Sequence, residues 1–370
     1  MKKTFLISCL LVASFPVMAA YTGHVYVDKN KNGVFDKGEK PMSGVKVSDG
    51  LNVVETAADG SFTLPGHAGE RFVFITTPSG YKTYNRHYHK IEDKQASYDF
   101  GLMPYDGGLG KDGSHKYIHI ADTEIFNTKN HDEWVNNVRD YAANEHAAFI
   151  IHTGDICYEK GLKEHIKLMN TENMDCPVFY CIGNHDLVKG KYGEELFENI
   201  YGPVYYSFDA GRVHYIVTPM AGGDHAPGYT REDVYLWLKN DLAHVKPGTP
   251  IMVFNHDLLT YDDAFVLREL IQQGMLDAKG TKIAVHEKGF RNMSELGIQR
   301  MNNVCTAFDD MALITNVSLA MAEGPLQDGI PEKTVISYCF PYEINKSALG
   351  KNLMVQPKRD DAIRKVYRKQ

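Results

Sequence analysis

Pro177-Val178-Phe179-Tyr180-Cys181-Ile182-Gly183-Asn184-His185-Asp186 is the stretch on which the reading of this chain turns. Its first six residues form a short apolar run with β-branched and aromatic members, the composition of a buried strand. The run stops at a glycine, and the three residues beyond it all carry metal-ligating or proton-carrying groups. Three other runs have the same build. Lys116 to Ala121 ends in Asp122-Thr123-Glu124, Ala147 to His152 leads to Gly154-Asp155, and Pro250 to Phe254 ends in Asn255-His256-Asp257. Helical spacing lies between them, over Asn130 to His146, where Trp134, Val138 and Tyr141 share a side, and over Asp233 to His244. Val213 to Thr218 reads as a further strand. Strand followed by helix, repeated, predicts an α/β sheet with helices on its faces.

Ligand sites in such sheets gather at the carboxyl ends of strands, where residues distant in sequence converge. Asp122, Asp155, Asn184 and His256 would bring two carboxylates, an amide oxygen and an imidazole to one place. Each has a plainer reading by itself: Gly154-Asp155 as a turn, Asp122 as a helix N-cap, His256 as a hydrogen-bonded core histidine. The four in this order, each closing a strand, point instead to an active site. That donor mix suits zinc, manganese or iron better than calcium. An aspartate shared by two ions about 3.5–4 Å apart lets the pair hold a phosphate and activate water against it. His185 would protonate the leaving oxygen or stabilise phosphoryl charge, with Asp186 beside it.

Upstream the texture is different. From Tyr21 to about Pro104, short alternating runs at Gly23–Val27, Gly44–Ser48, Asn52–Thr56, Ser61–Leu64 and Arg71–Thr76 are broken by Asp49-Gly50, Asp59-Gly60 and Pro65-Gly66. Several short strands with tight-turn breaks predict a β-sandwich. After the first strand, Asp28, Asn30, Asn32, Gly33, Asp36 and Glu39 fit a calcium-loop pattern at every specified position. Asp28, Asn30 and Asn32 offer oxygens, Gly33 allows the sharp turn, Asp36 holds the often water-mediated place, and Glu39 can close the shell with two oxygens. The alternative is a polar hairpin loop. No flanking helices are evident, so the expectation is a structural calcium ion outside an EF-hand.

The chain has 370 residues, 43% hydrophobic and 24% charged, which suggests two or three globular domains and excludes disordered, collagen-like and disulfide-scaffold classes. A net charge of −7 argues against a broad nucleic-acid-binding surface. Lys2, Lys3, an apolar run from Phe5 to Val12 and small residues at Ala19 and Ala20 have the layout of a signal peptide over residues 1–20. That run is too short to span about 30 Å of hydrocarbon, and no later segment is apolar enough, so no transmembrane segment is expected. The expectation is an exported protein, periplasmic or secreted. Five cysteines follow the leader (Cys157, Cys176, Cys181, Cys305, Cys339), an odd number that forms no disulfide framework, with room for one bridge.

The order Asp122, Gly154-Asp155, Gly183-Asn184-His185-Asp186, His256 resembles the calcineurin-like metallophosphoesterase family, over roughly residues 113 to 310. Tyr201-Gly202-Pro203-Val204-Tyr205-Tyr206-Ser207-Phe208 and Trp237-Leu238-Lys239-Asn240-Asp241-Leu242 also look like family landmarks. The opening segment is similar to the domain ahead of some exported members, and its Asp59-Gly60-Ser61-Phe62 turn looks like carboxypeptidase-regulatory or Sdr-type B modules. The resemblance implies a four-layer αββα core preceded by a small all-β sandwich. It also implies metal-dependent hydrolysis of a phosphoester substrate, a mono- or diester, by one or two divalent ions (Mn, Zn or Fe). Asp155 would bridge, Asn184 and His256 would ligate one metal, Asp122 the other, and His185 would be the phosphate-side histidine. The implied domains are 21–105 (sandwich), 106–115 (linker, rich in glycine from Gly107 to Gly113), 116–310 (phosphoesterase), and 311–370, completing the sheet and ending in a basic tail.

Departures from the family pattern shape the functional expectation. Glu124 stands where the family has histidine, and no Gly-His-x-His string is present. Two placements of that motif are open. At Val285-His286-Glu287-Lys288, His286 completes one metal set with Asp155, Asn184 and His256, and Lys288 replaces the second histidine. The other metal then keeps only Asp122, Glu124 and Asp155. An ammonium attracts phosphate without acidifying water, so this predicts one intact and one altered metal site, with Lys288 a catalytic candidate or a surface charge. At Thr315-Asn316-Val317-Ser318, both histidines are gone and catalysis with them. A catalytically inactive fold that binds a phosphorylated or glycan ligand is therefore the alternative to an enzyme, and a calcium-dependent surface adhesion module is a third reading.

Overall fold

The structure is a computed structural model and describes residues 20–84, 86–91, 97–111, 113, 115–120, 123, 132–144, 146–220, 222–246, 249, 251–254, 256, 306–308, 312–317 and 336–339. Residues 1–19, which hold nearly all of the expected signal peptide, and Asp122, Glu124, His286, Lys288 and the basic tail lie outside the described residues.

The first region is a two-sheet β unit. Its strands are β1 (Tyr21–Val27), β2 (Lys40–Pro41), β3 (Lys46–Ser48), β4 (Val53–Glu55), β5 (Ser61–Leu64), β6 (Phe72–Ile75), β7 (Tyr81–Thr83), β8 (Tyr88–Lys90) and β9 (Phe100–Pro104). One sheet runs β2-β1-β9-β7 with β5 also on β1, and the other runs β4-β3-β6-β8. Alternation along these strands sends Val25, Val47, Phe62, Val73, Ile75 and Leu102 into a shared core, the packing that the apolar-polar repeat dictates.

The second region is α/β. Strands β10 (His115–Ile120), β11 (Phe149–His152) and β12 (Val178–Tyr180) are parallel neighbours. Helices α1 (Asp132–Asn144), α2 (Tyr158–Leu168) and α3 (Thr171–Met174) connect them. Then follow α4 (Glu195–Tyr201), β13 (Tyr206–Ala210), β14 (Val213–Val217), α5 (Arg231–Ala243), β15 (Ile251–Phe254), β16 (Thr306–Phe308), β17 (Ala312–Val317) and β18 (Ile336–Cys339). They form two sheets, β12-β11-β10-β17-β16 and β13-β14-β15-β18. Rings fill the space between them: Phe179 stacks on Phe208 at 3.8 Å, and Phe149 meets Tyr215 edge-on at 4.9 Å. Each such aromatic contributes about 1.5–3 kcal/mol by burial alone. Ile118, Ile120 and Ile150 turn the other way, into a core shared with Val135, Val138 and Ala142 of α1 and Leu162 of α2. Trp237, Leu238 and Leu242 of α5 join the first core, and Asp241 of the same helix bonds His214 of β14.

Two details bear on the site. The glycine linker is packed rather than loose: a Cβ on Gly107 would stand 2.9 Å from the Ala148 Cα, and one on Gly108 2.5 Å from the His146 carbonyl. Strand β17 runs antiparallel to β10, with Asn316 opposite Lys116 and Ala312 opposite Ile120. This overturns the placement of the missing motif at Thr315–Ser318. Thr315 to Val317 lie at the amino end of β10, whereas its carboxyl end at Ile120 is four residues, about 13 Å, further on. Among the described residues no helix is long and apolar enough to cross a membrane.

Candidate metal centre

Two glycines bring the strand ends together. Gly154 follows β11 at φ +99°, and a Cβ there would lie 2.5 Å from the Gly183 nitrogen. A Cβ on Gly183 would lie 2.3 Å from Asp155 Oδ1. Only glycine at both places lets the two loops touch. Asp155, Cys157 and Tyr158 all adopt positive φ (51°, 74° and 55°), a concentration of backbone strain of the kind that functional loops hold.

Asp155 is the hub. Its Oδ1 accepts the His185 backbone N–H at 3.1 Å, and its Oδ2 stands 3.3 Å from His256 Nε2. His256 Nδ1 is 2.8 Å from the Thr153 carbonyl, so Nδ1 donates and Nε2 is turned toward Asp155. Two acceptors in this relation are satisfied by a proton or a cation between them. Two ligands about 2.1 Å from one ion at a tetrahedral angle stand about 3.4 Å apart, so the pair fits a metal. Burial pushes the Asp155 carboxyl up, but His256 and the His185 N–H outweigh it and hold it below the ordinary carboxylate range. Asn184, the third expected donor, lies in the chain between Gly183 and His185. Among the described residues no group of three or more His, Cys, Asp or Glu gathers closely enough to hold a metal. Asp122, Glu124 and His286, the other expected ligands, lie outside them.

His185 is 36% exposed, with Nδ1 2.9 Å from Asp224 Oδ2. The hydrogen bond to Asp224 is the main reason its pKa is raised. The Tyr158 ring lies 5.3 Å from the His185 ring. Asp186 occupies a different place from the catalytic one expected of it. It is fully buried, with Oδ1 accepting the Cys157 N–H and Oδ2 the Gly183 N–H, both at 2.9 Å. Both oxygens are committed to backbone, so Asp186 clamps the β11 and β12 loops together from behind.

Other contributors were not singled out from sequence. His152, fully buried, accepts the Gly154 N–H on Nδ1 at 3.1 Å and bonds the Thr123 hydroxyl through Nε2 at 2.9 Å. It thereby ties the residue between Asp122 and Glu124 to the Asp155 loop. Asp224 holds His185 and donates its own N–H to the Asn184 carbonyl at 3.1 Å. The only local signal was the Gly222-Gly223-Asp224 run, which permits close approach.

The residues of the expected calcium loop form a hydrogen-bonded turn, and Asp28, Asp36 and Glu39 do not gather there as a group that could hold a metal. Asp28 accepts the N–H groups of Lys31 (2.7 Å) and Gly33 (2.8 Å), Glu39 those of Lys29 (2.8 Å) and Asp36 (3.0 Å). The Asn30 and Asn32 amides both donate to Asp36 at 2.8 Å.

Residues 115–279 match the family described as Calcineurin-like phosphoesterase, and residues 29–105 match the one described as N terminal of Calcineurin-like phosphoesterase. No curated protein matches the chain.

Proposed function

The chain belongs to the calcineurin-like phosphoesterase family, and from that premise we propose that it hydrolyses a phosphomono- or diester using a divalent metal at Asp155, Asn184, His256 and His286. The observation that carries this reading is the facing of Asp155 Oδ2 and His256 Nε2 at 3.3 Å, with Nδ1 anchored on Thr153. Bound there, a manganese, zinc or iron ion supplies Lewis-acid polarisation of the phosphoryl group and lowers the pKa of water. The chain's own residues do the rest. His185, its Nδ1 fixed by Asp224, keeps Nε2 to carry a proton to the leaving oxygen. Asp186 and His152 keep the three loops in register. Asp122 and Glu124 would hold a second, altered metal position, and Lys288 would neutralise part of its charge. Replacing Lys288 by His then raises activity and metal content.

The order helix, sheet, sheet, helix, with α1 and α2 on one side and α5 on the other, supports the four-layer αββα reading of the core. Export through the 1–20 segment, to the periplasm or beyond, and a structural calcium in the 28–39 loop belong to the same proposal. The test is hydrolysis of p-nitrophenyl phosphate and bis(p-nitrophenyl) phosphate by the full chain with manganese, zinc or iron, beside His256→Ala. Turnover that needs the metal and His256 supports the enzyme. No turnover with any of the three overturns it in favour of an inactive fold that binds a phosphorylated or glycan ligand.

A further inference from the structure

The sandwich and the loop that holds His185 are joined by one guanidinium. Arg71, immediately before β6, places Nη2 3.0 Å from Glu194 Oε1 and 3.0 Å from Glu198 Oε1, and its head lies 4.4 Å over the Tyr192 ring. Among the described residues Arg71 is the only cation paired with either glutamate. Glu194 has no exposed surface, and burial pushes the Glu198 carboxyl up to about 8 even with Arg71 beside it. A buried carboxylate stripped of its cation rearranges, protonates or opens to water.

Glu194 has a second task. Its Oε2 accepts the Gly228 N–H at 2.9 Å. The same loop is pinned at Ala226, whose carbonyl accepts the Gly193 N–H at 2.8 Å, and at Asp224, whose N–H reaches the Asn184 carbonyl at 3.1 Å. Gly223 packs so tightly there that a Cβ would meet the Asn184 carbonyl at 2.4 Å. From that loop Asp224 reaches His185 at 2.9 Å. The path from the sandwich to the site thus runs through Arg71, Glu194, Gly228 and Asp224, each link a hydrogen bond, an ion pair or a short loop span.

We propose that Arg71, a residue of the N-terminal sandwich, is a positioning residue for His185: through Glu194 it fixes loop 222–229 and so holds Asp224 against the histidine. The inference rests on the catalytic reading of His185 given above, while the linkage itself is measured without any activity. A domain that looks like a detachable appendage would then be part of the active-site scaffold.

Amide hydrogen exchange on the full chain tests it, comparing wild type with Arg71→Met, Arg71→Lys and Glu194→Gln. Loss of a charged hydrogen bond should speed exchange at Gly228 and Asp224 by about tenfold or more in Arg71→Met. Amides of β10, β11 and β14 stay unchanged, and Arg71→Lys restores part of the protection. The matching kinetic signature is a kcat lower by about tenfold with KM little changed, again partly restored by lysine. If Arg71→Met does not fold, Glu194→Gln keeps the Arg71–Glu198 pair and, with the charge at 194 gone, should speed exchange at both Gly228 and Asp224. Unchanged exchange at 224 and 228, or acceleration spread evenly over both domains, overturns the proposal. Loop amides that loosen in a chain with no phosphoester turnover support the linkage and reject the catalytic reading instead.

Discussion

His214 and His185 both face carboxylates, and the molecule uses them in opposite ways. His214 is 1% exposed, with Nδ1 2.7 Å from Asp209 Oδ1 and Nε2 2.8 Å from Asp241 Oδ2. Lys46 of the sandwich stands 3.6 Å from Asp209, Ser207 bonds Asp241, and Thr76 bonds Ser207. Both ring nitrogens are spent, and the cluster spans β3, β13, β14 and α5, so it locks two domains together. His185 is 36% exposed and has one carboxylate on one nitrogen. Residue type is the same in the two places. Access and the count of committed nitrogens decide which histidine is a rivet and which can carry a proton.

The sharpest way to break that contrast is Asp241→Asn. It leaves buried charge uncompensated and should cost about 3–5 kcal/mol of stability in denaturant unfolding. A loss below about 1 kcal/mol would mean the cluster is no lock. The penalty also has a pH signature. Burial and Lys46 push His214 down, but Asp241 and Asp209 outweigh them and its pKa is raised in the fold. Its contribution is therefore full below about pH 6.5 and fades as pH rises through the raised value. His87 behaves in the opposite sense: burial lowers its pKa to about 3. Its contribution is present above about pH 6.5 and is lost as pH falls toward that value. Unfolding midpoints of His87→Phe and Asp241→Asn on either side of neutrality should diverge accordingly.

His185→Gln is the complementary substitution. It should lower kcat by about 10²–10³ while stability stays within about 1 kcal/mol, since the side chain is 36% exposed. Asp224→Asn should cost about tenfold in kcat with metal content unchanged, because it orients rather than ligates. Smallest of all is the calcium effect. Free calcium a few times above its dissociation constant should raise stability by about 1 kcal/mol, and Glu39→Gln should abolish the gain in a thermal melt.

Much of this was legible in the sequence, and the parts that were not share a cause. Apolar runs closed by Gly-Asp or Gly-Asn-His-Asp mark β11 and β12 directly, because a buried parallel strand is apolar on both faces and its chemistry hangs on its end. Strands β7 (Tyr81-Lys82-Thr83) and β8 (Tyr88-His89-Lys90) carry no apolar alternation and went unseen, as did the short helix α4. Asp186 follows His185 in the motif, and only the Cys157 and Gly183 amides, 29 and 3 residues away, reveal that it faces inward. His152 with Thr123 and His185 with Asp224 pair across 29 and 39 residues. Periodicity reports on neighbours along an element and is silent about partners that meet only after the sheet has formed.

The central claim is that Asp155 and His256 hold a catalytic metal. Its most direct test is the transition-metal content of the full chain by elemental analysis, after incubation with manganese, zinc and iron, beside His256→Ala. The account predicts at least one ion per chain, lost in the variant. No bound metal in the wild type, or the same content in both, would contradict it.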